Sequence, residues 1–474
     1  MNPSTSLFAR FGRLVAGAPL LILLAGCTVG PGYKRPQVAV APAFRGADDT
    51  EAATARDASL GDENWSQVFR EPELQSLIRT ALAHNYDVRI AAQRVLEQQA
   101  QVKITRSQEF PTLAVGGTGI GAELPDSLSS SIGSSLYAGS FNLSSAWTPD
   151  FWGLYRRQTQ AARAQMLAQV WAQRAVRMTL VEQVASAYIQ LRALDRQLAI
   201  ATQTLATRRQ SVDLTRRLAD AGSAPLSDLR QAEELEYTAS SQIPQLQRQI
   251  QQQENALRLL LGQNPGPIAR VDDRALAPPP QNPPVGLPSR LIERRPDILQ
   301  AEQQLIAANA QIGVARAQFF PQLSISAAGG VGGDQWSNLF DPGGHTIYGL
   351  AALTQPIFEG GKLRGQLQLS EHQKEEMLLN YQKTIAGAFR DVSDALIALD
   401  KTRSTREQQT LLVTAAQDAT RLARMRYQGG ATSYLEVLTT DSNLFSAQLN
   451  LVNAQEQEAL SLVQLYGSLG GGWD

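Results

Sequence analysis

The sequence predicts a duplicated α+β membrane chain in which very long helices alternate with a few strands, and whose sheet closes only when several chains associate. Three observations carry that expectation: an internal repeat, uninterrupted helical stretches, and period-two segments too few to close a barrel alone. The repeat is read directly. Residues 85–113 align without a gap on residues 295–323 at a constant offset of 210, and ten of the 29 pairs are identical, among them Asp87/Asp297, Arg106/Arg316 and Phe110-Pro111/Phe320-Pro321. Downstream, Phe151-Trp-Gly153 answers Phe358-Glu-Gly360, and Gly222 with Asp228 answers Gly430 with Glu436 at an offset of 208. Two copies of a half-built unit imply a core that forms only between neighbours.

The helices come next. Residues 155–220 contain no proline, and Val184, Ala187, Leu191, Leu194, Leu198, Ala201 and Leu205 repeat at spacings of 3 and 4, the seam of a coiled coil. Gly222 ends this helix, Pro225 opens the next, and residues 227–261 run back. The second copy repeats the plan with helices at 362–428 and 434–468 around a Gly429-Gly430 turn, and Leu435, Leu438, Phe445, Leu449, Val452, Ala459 and Leu462 stripe one face of the returning helix. Shorter helices are expected at 76–109 and 289–318. Six prolines in residues 276–288 make that segment an extended crossover.

Strands are expected at 112–121, 136–150, 322–330 and 347–356; Tyr137, Phe141, Leu143 and Trp147 alternate with Ser140, Asn142 and Ser144. Four strands leave open edges, which lipid does not tolerate. Three copies would bring about 12 strands, an even number within the bacterial barrel range.

At the N-terminus, Arg10 and Arg13 precede an 11-residue apolar run at 14–24, too short to span a bilayer and ordered like a secretory signal over 1–26. The run ends Leu24-Ala-Gly-Cys27, similar to a bacterial lipoprotein cleavage box, so Cys27 is the expected site of a covalent lipid. Cys27 is the sole cysteine and excludes an intrachain disulfide. A net charge of −1 offers nothing to nucleic acid, and three scattered histidines offer no metal-ligand spacing. There is no phosphate loop, nucleophile elbow or zinc-protease motif, so no catalytic residue and no cofactor beyond the lipid is expected.

Trp65, Phe69, Pro72-Glu-Leu74, Leu77-Ile78, Ala81-Leu82, Asn85 and Asp87, with Arg294-Arg-Pro-Asp-Ile298, the Cys27-Thr-Val-Gly-Pro-Gly-Tyr-Lys-Arg-Pro36 start and the closing Leu469-Gly-Gly-Gly-Trp473, resemble the outer-membrane efflux lipoproteins of the TolC/OprM/NodT group. The resemblance covers the mature chain. It implies a homotrimer with a 12-stranded transmembrane β-barrel continuous with a long periplasmic α-helical barrel, sited in the Gram-negative outer membrane. It also implies a periplasmic adaptor protein and an inner-membrane pump of the resistance-nodulation-division type, with the chain as exit duct for drugs or other small solutes. Domains follow as a tether at 27–75, repeats at 76–275 and 289–474, and the crossover between them. In such proteins the helix turns, here marked by Gly222, Gly429 and Gly430, form a periplasmic gate. Matching positions are Arg426, Tyr427 and the constricting Leu435, with Asp228 and Glu436 as equivalent carboxylates of the two copies. Arg426 and Tyr427 are expected to tie neighbouring helices to carboxylates. Thr439 stands where such proteins often carry Asp, and Asp441 two residues on points elsewhere on a helix. A type I secretion duct, a metal-efflux duct and a lipid-anchored scaffold without a pore are the alternatives.

Overall fold

The computed structural model describes residues 28–38, 40, 43–46, 59–123, 135–270, 283–333 and 338–473. The expected signal segment, Cys27 and most of the proline-rich crossover lie outside the described residues. After a single helical turn at Trp65–Val68, the order is α1 (Pro72–His84), α2 (Tyr86–Ser107), β1 (Thr112–Glu123), β2 (Ser135–Trp147), α3 (Leu154–Asp220) and α4 (Leu226–Leu260). Then come α5 (Pro288–Arg294), α6 (Pro296–Ala317), β3 (Gln322–Gly333), β4 (His345–Thr354), α7 (Lys362–Gln428) and α8 (Tyr434–Ser468). At 67 residues each, α3 and α7 are ~100 Å of helix.

Two differences from the sequence expectation fall at equivalent places in the two copies. The helices expected at 76–109 and 289–318 are each cut in two, at Asn85 and Arg295, the first pair of the aligned repeat. Asn85 caps α2: its Oδ1 accepts from the backbone N–H of Asp87 (2.8 Å) and Val88 (3.1 Å), while its Nδ2 donates to the Leu260 carbonyl (2.9 Å). Arg295 precedes proline and takes an extended conformation, φ −65° and ψ 123°. Strands β1 and β3 also run further than expected, and β2 stops at Trp147.

The chain divides into two compact units. The first (1–37, 95–169, 301–381) holds one antiparallel sheet in the order β1-β2-β3-β4, so the central β2–β3 pair joins the two copies. Residues 28–36 run along this unit as a strap. Val29 N–H donates to the Trp152 carbonyl (3.0 Å), and the buried Glu302 accepts from the Tyr33 hydroxyl (3.1 Å) and Arg35 Nε (2.7 Å).

The second unit (38–94, 170–300, 382–474) is helical, and the predicted seam is its spine: Val184, Ala187, Leu191, Ala201 and Leu205 are buried. Its C-terminal turn closes on distant segments. Tyr466 stands edge-on to Phe69 at 5.6 Å and donates its hydroxyl to the Glu63 carbonyl (2.9 Å). The Arg174 guanidinium lies 4.3 Å from the Trp171 ring centre and 4.8 Å from that of Trp473. The Glu182 side chain lies against the backbone of Gly467, and a Cβ there would sit 1.6 Å from its Oε1, so the carboxyl group would have to move.

Candidate functional site

Two regions can do work: one face of the sheet and the two helix turns. The register sorts the sheet's faces. Pairings Val115↔Leu143, Gly117↔Phe141, Trp147↔Ile325, Leu323↔Leu353 and Gly329↔Ile347 put every one of these apolar side chains on one side. Thr112, Thr118, Ser140, Asn142, Ser144, Ser324 and Ser326 fall on the other, together with the exposed Ile120, Tyr348 and Leu350, and there the Thr118 and Ser140 hydroxyls meet at 2.6 Å. The apolar face is bare. Val115 is 78% exposed and Ile347 90%, and Phe358, just past β4, is 88% exposed. An apolar face of this extent is not stable in water without a cover.

The edges are bare too. Among the described residues β1 and β4 each have one hydrogen-bonded neighbour, leaving a free edge on both sides. The helices that lead into β1 and out of β4 carry exposed apolar side chains as well: Leu96 and Ile104 on α2, Leu369 and Leu379 on α7.

The two helix turns share a backbone. In the first, the Ser223 N–H reaches the Leu218 carbonyl (2.8 Å) and the Gly222 N–H that of Ala219 (3.0 Å). In the second, Ala431 reaches Arg426 (2.8 Å) and Gly430 reaches Tyr427 (3.0 Å). Gly222 and Gly430 take left-handed φ of 73° and 68°. Gly429 does not; its N–H closes the last turn of α7 on the Met425 carbonyl (3.0 Å).

Side chains at the turns diverge between copies. Arg426 Nη1 donates to Glu436 Oε1 at 2.8 Å, and Thr432 donates to the same carboxylate. The place of Arg426 in the first copy is held by Leu218, so Asp228 has no such partner there and accepts instead from the Ser227 hydroxyl (3.4 Å). The Tyr427 ring packs on Tyr434 with centres 5.1 Å apart. Burial raises the Tyr427 phenol, and the nearby Asp228 charge adds to it. Burial pushes Tyr434 up to about 12. Leu435 departs from its own stripe: Leu438, Phe445 and Val452 are buried, whereas Leu435 is 61% exposed at the turn.

Sequence reasoning missed a third feature, next to these turns. Asp441 accepts from Arg208 Nε (2.9 Å) and Arg424 Nη2 (2.8 Å), and Arg208 also donates to the Leu235 carbonyl (2.8 Å). The signal was present, since Arg208 holds the next position of the α3 seam, three residues beyond Leu205.

The family described as "Outer membrane efflux protein" matches residues 77–263 and 287–471. The probable efflux pump outer membrane protein TtgC of Pseudomonas putida is 36% identical over 467 residues, covering 97% of this chain and 96% of that protein. Outer membrane protein OprJ of Pseudomonas aeruginosa is 35% identical over 472 residues, covering 97% and 96%. Among solved structures, the open state of the Neisseria gonorrhoeae MtrE outer membrane channel is 29% identical and superposes with a TM-score of 0.83 over 94% of this chain and 99% of that one. A sheet with one bare apolar face, joined to long paired helices, is the fold of an outer-membrane channel subunit. The chain belongs to the outer membrane efflux protein family. It is an outer-membrane efflux component and not an enzyme.

Proposed function

We propose that three copies of this chain form an exit duct for drugs or other small solutes across the periplasm and outer membrane, working with a periplasmic adaptor and an inner-membrane pump. The observation that carries the reading is the bare apolar face of a sheet with two free edges. Lipid satisfies the face and the next copy satisfies the edge. Strand β1 of one chain meets β4 of the next, with α2 and α7 below them supplying apolar side chains to the same seam. A head-to-tail contact of this kind closes into a ring. The hydroxyl-rich face then lines the lumen. Phe110, Trp147 and Phe358 lie at the helical ends of the strands, where an aromatic girdle meets the headgroups. A lipid on Cys27 anchors the strap that leads to Trp152.

The turns form the periplasmic end. Arg426–Glu436 and the Tyr427–Tyr434 ring contact stiffen the second turn, and the outward Leu435 of each copy narrows the passage. Purified full-length chain reconstituted in planar bilayers tests the reading. It should migrate as a heat-sensitive trimer on gels and conduct ions. A monodisperse monomer that conducts nothing overturns it.

A further inference from the structure

The geometry points to a weak binding site for drug-sized organic amines on the inner wall of the helical part, where Glu376 takes the charge and glutamine amides take the remaining hydrogen bonds. The site names a substrate class for the exit duct and so rests on that reading.

Placement comes first. Helices α2, α3, α6 and α7 lead into or out of β1, β2, β3 and β4, so they follow the strand order side by side. A hollow of about 850 Å³, wholly within the first unit, is lined by residues of all four. Four helices in a row can border one hollow only on the concave side of their arc, which in a closed ring is the lumen. Helix α6 gives the same direction. Its Glu302 and Asn309 hold the strap of residues 28–36, whereas Gln304, Ala308 and Gln311 line the hollow. At 3.6 residues per turn the two sets lie nearly half a turn apart. The strap that leads to the lipid is therefore outside and the hollow inside.

The lining sets the chemistry. Eight of its fifteen residues are glutamine, four are alanine, and only Glu376 of α7 carries a charge. The duplication keeps the amides in place: Gln101 and Gln311 are an identical pair of the aligned repeat, and Gln165 answers Gln373 at an offset of 208. Among the described residues, Gln101 has a side-chain partner, Thr105 at 3.4 Å, while the other seven amides and the Glu376 carboxylate make no hydrogen bond or ion pair within the chain. A lone carboxylate attracts an ammonium and repels an anion. Neutral amides both donate and accept, so they match the polar groups of a ligand, and alanine between them leaves room for its carbon skeleton. A hollow of this size suits a drug-sized molecule. One exposed ion pair with a few amide contacts holds it weakly, as a duct requires if cargo is to leave.

Equilibrium binding to the assembled full-length protein, in non-ionic detergent at physiological salt, tests the site without reference to conductance. The probes are monodansylcadaverine, a fluorescent primary amine, and its N-acetyl derivative, which lacks the charge. The amine should bind wild type in the millimolar range, and Glu376→Gln should weaken it about three- to fivefold. The acetylated probe should bind more weakly than the amine and ignore that substitution. Glu376→Asp keeps the charge and should bind nearly as wild type; a loss shared by both variants would trace to structure and overturn the site. Glu375→Gln, one residue away and outside the hollow, removes the same charge and should change nothing. Gln304→Ala combined with Gln311→Ala should weaken both probes about threefold, and no loss there would overturn the part given to the amides. Equal binding of the amine to wild type and Glu376→Gln, or an equal loss in Glu375→Gln, overturns the site. A trimer that conducts but binds without regard to Glu376 sinks the site and keeps the duct, whereas a chain that conducts nothing sinks the duct reading whatever the probes do.

Discussion

Glu182 offers a quantitative test of how the second unit is held together. Its carboxyl group lies against the bare backbone of Gly467, with Arg295 and Asp391 nearby. Burial is the main influence and raises its pKa from the ordinary 4.5 to about 7; the Arg295 charge pulls the value down and Asp391 pushes it back up. A carboxyl group whose folded pKa is raised penalises folding once it ionises. Below pH 4.5 it is protonated in both states and costs nothing; between 4.5 and 7 the cost grows; above 7 it is complete. At 1.36 kcal/mol per pKa unit the full penalty is about 3 kcal/mol per chain. Glu182→Gln keeps the shape and removes the charge. Thermal unfolding of the detergent-solubilised protein, followed at pH 5 and pH 8, should show the variant only slightly more stable than wild type at pH 5 and clearly more stable at pH 8. Titrating groups that do not interact with Glu182 cancel in that comparison. Equal gains at both pH values, or a variant weaker than wild type at pH 8, would refute the reasoning, the second by showing that attraction to Arg295 outweighs burial.

Two further outcomes concern the turns. Replacing Arg426 by Ala together with Tyr427 by Phe removes the ion pair to Glu436 and a phenol near Asp228, and single-channel conductance in planar bilayers should rise; an unchanged conductance would take both residues out of the gate. Gly430→Ala should destabilise the second turn by about 1 kcal/mol through its left-handed φ, although open space surrounds it, whereas Gly429→Ala should be near neutral, as local hydrogen exchange at residues 424–434 would report.

How much of this was legible in the sequence depends on how local the physics is. Seam positions from Val184 to Leu205 are buried or half-buried because helical periodicity is a property of the chain itself. The same holds for Gly222 and Gly430, whose φ follows from ending a helix sharply. Strand faces were legible through alternation, yet the central β2–β3 pairing was not, since it joins segments far apart in the chain. The breaks at Asn85 and Arg295 were readable one at a time, as a capping asparagine and a residue before proline, but the helical pattern on both sides outweighed them.

Asp441 shows where such reading stops and why. The sequence placed it on a different face from Thr439, which is correct as helical geometry. What it faces instead, Arg208 on a helix more than two hundred residues earlier, is settled only when the two copies pack together. The clue was an arginine in a stripe of Leu, Val and Ala, a position where a charge is costly unless a counter-ion waits across the seam. A charged residue that interrupts an apolar repeat therefore says more about tertiary partners than the repeat does. The repeat fixes which side of a helix is inside, and the interruption fixes where along its length the neighbour must sit.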